Sequence, residues 1–213
     1  MKYSVIALLA AGLSVGALTV TSQAQNAAPP AAGAAPAANQ PIGPLANTIL
    51  KPSSAAKLTV TSTGFADKGT IPLSFSQAGE SLSPPLSWTG APEGTKSFVI
   101  LTEDAGAGRP DPITHWIAFN IPPNVTSLPQ GVAGTATVAT PSMMQGMNTR
   151  NTAGYMGMGA PAGTPHAYHF EVYALDKTLD LDPAKADRKA LIDAMQGHVL
   201  ATGELVGMFA RPA

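Results

Sequence analysis

Between Leu58 and Phe209 every apolar run is brief enough for a strand and is stopped by proline, glycine or a polar turn, so the chain cannot build a long-helix fold. Leu58-Thr59-Val60-Thr61 alternates with period two, and Ser97-Phe98-Val99-Ile100-Leu101-Thr102 is an apolar run rich in β-branched and aromatic residues, as a central strand requires. Ile113 to Ile121, His166 to Leu175 and Val199 to Phe209 have the same character. Ser83-Pro84-Pro85, Ala91-Pro92-Glu93-Gly94, Ile121-Pro122-Pro123 and Pro129-Gln130-Gly131 punctuate them. One helix is expected near the C-terminus. Asp182 caps it, Pro183 suits its first turn, Leu191, Ala194 and Met195 share a face, and Gly197 ends it. Many strands, one helix and no alternation of strand with helix predict a mostly β fold: a two-sheet, antiparallel, sandwich-like domain with one C-terminal helix and short helical turns.

The front of the chain is a different material. All 13 acidic residues, and every basic residue except Lys2 and Lys51, follow Ala56. Lys2, the apolar or small run from Val5 to Val20, and Ser22-Gln23-Ala24 read as a secretory signal over residues 1–24, cut after Ala24. The run is shorter than the roughly 20 residues of a spanning helix and is interrupted by Gly12, Ser14 and Gly16, so no membrane span is expected after cleavage. The protein is expected outside the cytoplasm, in the periplasm or the extracellular space. Residues 25–56, rich in Ala and Pro, carry no helix or strand period and predict a semi-extended tether. Residues 57–213 form the domain.

Composition removes several function classes. A formal net charge of −1 argues against nucleic-acid binding, which needs a basic surface. With no Cys there is no disulfide framework, thiolate zinc site or cysteine nucleophile. The chain has no Gly-x-Ser-x-Gly elbow, no His-Glu-x-x-His and no Walker loop. Gly157-Met158-Gly159-Ala160-Pro161-Ala162 matches a dinucleotide fingerprint in spelling alone, since Pro161 breaks the helix that the fingerprint needs.

The four His residues are the informative polar groups. Strict alternation puts His115 on one face with Ile117 and Phe119, and His166 on one face with Tyr168, with His169 opposite. Glu103-Asp104 ends a strand at the loop Ala105-Gly106-Ala107-Gly108. Two readings fit these residues. In one, Asp104, His115 and His166 meet over a pocket that holds an anion, with the carboxylate orienting an imidazole or accepting from an amine. In the other, each imidazole merely satisfies a backbone group at a sheet margin.

The stretches Ser97 to Asp104, Thr114-His115-Trp116-Ile117-Ala118-Phe119-Asn120-Ile121-Pro122, Gly154-Tyr155-Met156-Gly157, and Pro161 through His166 and Tyr168 to Asp176 resemble the phosphatidylethanolamine-binding protein family, in its bacterial Raf-kinase-inhibitor-like branch. Ser83-Pro84-Pro85-Leu86-Ser87-Trp88 and Gly197-His198-Val199-Leu200-Ala201 with Glu204 to Gly207 fit the same branch, so the resemblance runs in order through about the whole of residues 57–211. It implies a β-fold of two antiparallel sheets and a small pocket for phosphate or a phosphorylated head group. By motif position Asp104, His115, His166 and Tyr168 line that pocket, and Gly157 and Gly159 let backbone amides approach the anion. Three places depart from the family pattern: Ala105 and Gly106 follow Asp104 where the family has Pro and Asp, Ala167 stands where the family has Arg after His, and Met158 replaces a Pro of the family's Gly-Pro-rich loop. No catalytic residue and no cofactor is expected. The rival readings are an inhibitor or regulator of another protein, and a phosphoester or ester hydrolase.

Five of the eight Met residues (Met143, Met144, Met147, Met156 and Met158) lie close together in sequence. They allow a thioether site for Cu(I), or adaptable packing around a pocket mouth.

Overall fold

The structure is a computed structural model and describes residues 43–213. The strands are β1 (Thr59–Thr61), β2 (Leu86–Thr89), β3 (Ser97–Asp104), β4 (Ile113–Ile121), β5 (Ser127–Leu128), β6 (Thr137–Ala139), β7 (Ser142–Gln145), β8 (His166–Leu175) and β9 (Val199–Phe209). A small sheet runs β1-β2-β5 and a large one β6-β7-β4-β3-β8-β9. Every pairing between neighbouring strands is antiparallel, as the period-two runs separated by turns predict.

Two apolar layers follow from the alternation along the large sheet. Phe98, Ile100, Trp116, Phe170 and Val172 face the small sheet, where Leu86 and Trp88 meet them. Val99, Leu101, Ile117, Phe119 and Tyr173 face the other way, onto Leu50, Leu191, Ile192 and Met195. β3 is therefore covered on both faces and buried along its whole length, which explains its unbroken apolar run.

Two expectations are corrected here. Asp182 caps only a short 3₁₀ turn, Pro183–Lys185, its side chain accepting from the Ala184 N–H. The helix proper, α2 (Arg188–Met195), starts at its own cap, Asp187, whose carboxylate accepts from the Ala190 N–H at 2.8 Å. A second capping residue five positions on restarts the chain, so one expected helix is two elements. Gly197 does stand just past the end, with φ 76°. Removing the Asp187 cap as Asp187→Ala is expected to lower stability by about 1 kcal/mol, read as a lower urea midpoint at unchanged slope.

The tether expected over residues 25–56 ends on the domain. A single helical turn, α1 (Ala46–Ile49), places Ala46 and Leu50 on one side, and both are buried in the outer layer. The Ala46 N–H donates to Glu103 at 2.8 Å, and the Ser53 and Ser54 N–H groups donate to the Val199 and Leu200 carbonyls. An Ala/Pro composition hides this spacing of two apolar residues. The signal over residues 1–24 and the rest of the tether lie outside the described residues.

Candidate functional site

At the end of the large sheet, on the face turned to the small sheet, a cavity of about 430 Å³ is lined by Asp104, His115, His166 and Tyr168, with Arg109 and Arg150 among the loop residues around them. β3 supplies Asp104, β4 supplies His115, and β8 supplies His166 and Tyr168.

His115 arrives against the alternation rule. β3 and β4 pair Thr102 with Trp116 and then Glu103 with Thr114, so β4 spends one residue more than its partner and His115 is the extra one. The bulge moves His115 off the face of Ile117 and Phe119, which belong to the helix-covered layer. It packs edge-to-face on Tyr168 instead, with ring centroids 5.2 Å apart. The face expected for His115 is thus wrong, and the correction is what brings it to His166.

The two imidazoles are held differently. His115 Nδ1 lies 2.8 Å from the Met156 carbonyl oxygen, which can only accept, so Nδ1 carries the proton. Its Nε2 is buried and has no partner among the described residues. Burial lowers the His115 pKa, and the bond to the Met156 carbonyl and the Asp104 charge only partly offset this. His166 Nδ1 lies 2.8 Å from Asp104 Oδ2, while Asp104 Oδ1 accepts from the Gly106 N–H at 2.7 Å. One carboxylate thus orients an imidazole and closes the loop after β3. A Cβ on Gly106 would come within 3.2 Å of both Asp104 Oδ1 and the His166 ring, so a side chain there, as in the family's second Asp, requires these neighbours to give by a few tenths of an ångström. Alternation along β8 turns Ala167 away from His166 and Tyr168, so losing the family's Arg removes no group from this cavity.

The Gly159 amide is not free for a ligand as expected, and Gly157 does not line the cavity. The Tyr168 hydroxyl accepts from the Gly159 N–H at 3.2 Å and the Ala160 N–H at 2.9 Å. Burial, and next the Asp104 charge, push the Tyr168 pKa up to about 12, so the hydroxyl keeps its proton. Gly157 is not part of the cavity wall: a Cβ there would lie 2.6 Å from the Ser76 carbonyl carbon and 2.7 Å from the Gln77 nitrogen. It is small because the segment after the 3₁₀ turn Leu73–Phe75 crosses it.

Two cations went unread in the sequence. Of the four arginines in the chain, Arg109 and Arg150 line the cavity. Arg150 donates to Gln77 Oε1, and Gln77 Nε2 donates to the Gly157 carbonyl at 2.8 Å. Both arginines sit in loops with no period, and their scarcity was the only available signal.

The five clustered Met residues do not form one site. Met143 and Met158 are buried between the sheets, and Met144 packs against the helix-covered layer. Met147 lines a different hollow and Met156 lines this one. Neighbouring strand residues point to opposite faces, so closeness in sequence scatters the sulfurs. Among the described residues no group of three His, Asp or Glu side chains is placed to hold a metal.

The other hollow is larger, about 580 Å³, and shares Arg109 and Thr149 with the first. Two of its cations are already paired, Lys189 with Asp193 at 2.6 Å and Arg188 with Glu103. The smaller cavity holds the unpaired buried nitrogen and is the better candidate.

The family model of the phosphatidylethanolamine-binding proteins matches residues 61–210. The chain belongs to this family. A UPF0098 protein of Methanothermobacter thermautotrophicus is 42% identical over 148 residues, which cover 69% of this chain and 95% of that protein. The UPF0098 protein YbhB of Escherichia coli is 35% identical over 133 residues, 62% of this chain and 83% of its own length. Among solved structures, the crystal structure of E. coli YbcL, described as a new member of the mammalian PEBP family, matches with TM-score 0.66. It shares 29% identity, covering 73% of this chain and 99% of that one. The PEBP homologue CT736 of Chlamydia trachomatis matches with TM-score 0.63 and 32% identity, covering 73% of this chain and 98% of its own. The mostly β, two-sheet architecture expected from the sequence is the fold of this PEBP family.

Proposed function

We propose that this PEBP-family protein is exported and binds a small phosphate-bearing or zwitterionic ligand in the cavity between His115 and His166. The observation that carries the reading is His115 Nε2, a buried nitrogen without a partner in the wall of a cavity that two arginines also line. Leaving such a group unsatisfied costs about 1–3 kcal/mol, which a ligand recovers. In this reading the guanidinium groups of Arg109 and Arg150 hold the anionic oxygens, joined through Nε2 by the charged ring of His166, which Asp104 steers.

Binding rather than hydrolysis is favoured by the state of the cavity's hydroxyls. Tyr168 accepts from two amides and Thr149 Oγ1 accepts from the Thr114 N–H at 2.8 Å, and neither hydroxyl is hydrogen-bonded to an imidazole that could activate it. Isothermal titration with phosphoethanolamine tests the reading. His166→Ala is expected to weaken binding about tenfold or more, the loss of one charge-assisted hydrogen bond. Equal heats for the variant and the wild type would remove His166 from the site.

A further inference from the structure

The bond that His115 makes to the backbone decides what its other nitrogen asks of a ligand. Met156 contributes a carbonyl, so the proton of the neutral ring is on Nδ1 and Nε2 presents a lone pair. Burial disfavours a second proton on that ring, and only 2% of the residue is exposed. Among the described residues no group donates to Nε2. The wall also carries the Asp104 carboxylate, His166, whose Nδ1–H is held by Asp104 and whose Nε2 donates only when the ring is charged, the guanidinium groups of Arg109 and of Arg150, which donates to Gln77, and the side chains of Thr149 and Tyr168. The cavity therefore offers guanidinium donors for anionic oxygens together with buried acceptors, of which His115 Nε2 has no partner among the described residues.

Resting on the proposed anion site, we infer that the cavity selects ligands that carry a hydrogen-bond donor beside their anionic oxygens, and discriminates against oxyanions that have none. Hydrogen phosphate supplies the donor as its P–OH group, and phosphoethanolamine supplies it as its ammonium. Sulfate has the size and charge of hydrogen phosphate but no proton. A phosphodiester monoanion such as dimethyl phosphate has none either. For either of these, Nε2 faces an oxygen lone pair, or the buried ring takes up a proton at a cost that grows with pH. The selecting element is a backbone carbonyl that fixes a tautomer, not a side chain that touches the ligand.

Titration calorimetry at about pH 8, above the range of an unperturbed imidazole, makes the comparison at matched ionic strength with inorganic phosphate, phosphoethanolamine, sulfate and dimethyl phosphate. The expected result is that sulfate and dimethyl phosphate bind about tenfold or more weaker than phosphate, the price of one buried unpaired acceptor. A phosphate preference without phosphoethanolamine supports the inference with an O–H donor as the source, and tight binding of phosphoethanolamine extends it to an N–H donor. Sulfate bound as tightly as phosphate overturns the inference and leaves the anion site standing. Failure of all four ligands to bind overturns both. His115→Gln, whose amide can turn a donor toward the ligand, is expected to bring sulfate and phosphate to similar affinity. The wild-type comparison decides the matter even where that variant does not fold.

Discussion

Replacing Glu171 with glutamine flattens the pH dependence of stability and raises stability on the alkaline side. Glu171 lies on β8 in the layer facing the helices and is fully buried. One of its oxygens accepts from the Tyr173 hydroxyl, and the other has no partner. Burial first, and then the charges of Glu103 and Glu204, push its pKa up to about 8, against lowering contributions from Tyr173 and the Asn47 backbone. Glu103 is itself occupied by Arg188 and the Ala46 N–H, and Glu204 by His169 and Asn47, so neither can relieve Glu171. The folded state thus holds a proton that the unfolded chain releases near the ordinary carboxylate pKa. Stability from this group is complete below the unfolded pKa, falls as pH rises from there to about 8, and is level above that. The fall is on the order of a few kcal/mol. Urea midpoints between about pH 5 and about pH 9 check this, because the wild-type curve should descend and the Glu171→Gln curve should stay nearly flat by comparison. Parallel curves would place the source elsewhere.

Tyr168→Phe lowers stability and weakens ligand binding together, although it removes one oxygen and leaves the ring. The ring contacts survive the change, edge-to-face with His115 and stacked on His166 at 6.4 Å. What goes is the acceptor for the Gly159 and Ala160 amides, which holds that stretch of chain against the cavity. Ala160 is almost fully buried, so its N–H has no water to turn to. At about 1–3 kcal/mol for each stranded donor, a loss of about 2–6 kcal/mol is expected from urea unfolding. Phosphoethanolamine should bind less tightly to the variant once it is folded, because the wall at Gly159 and Ala160 is no longer fixed. Unchanged stability with weakened binding would instead make the hydroxyl a direct ligand contact.

The strands that build the site were legible because their residues repeat at the strand period and proline or glycine stops them. Ile113–Ile121, His166–Leu175 and Val199–Phe209 are found within the bounds that pattern predicts. The position of Asp104 at a strand end, and of His166 beside Tyr168 on one face, followed from the same rule. The face of His115 did not, since alternation counts residues along one strand while the bulge is set by the partner strand. Arg109 and Arg150 were invisible for a related reason: loops have no period, and only the closed fold brings these two to one cavity. The engaged state of the Gly159 amide was hidden because its partner, the Tyr168 hydroxyl, comes from a strand that itself looked like a ligand contributor.

The extra residue in β4 makes the pocket a matter of parity. Deleting the one position between Thr114 and Trp116, which is His115 itself, would remove the bulge and the imidazole together and empty the hollow of its acceptor. Insertions and deletions at this spot therefore act as an on–off setting for recognition, while ordinary substitutions elsewhere along the strand merely tune it.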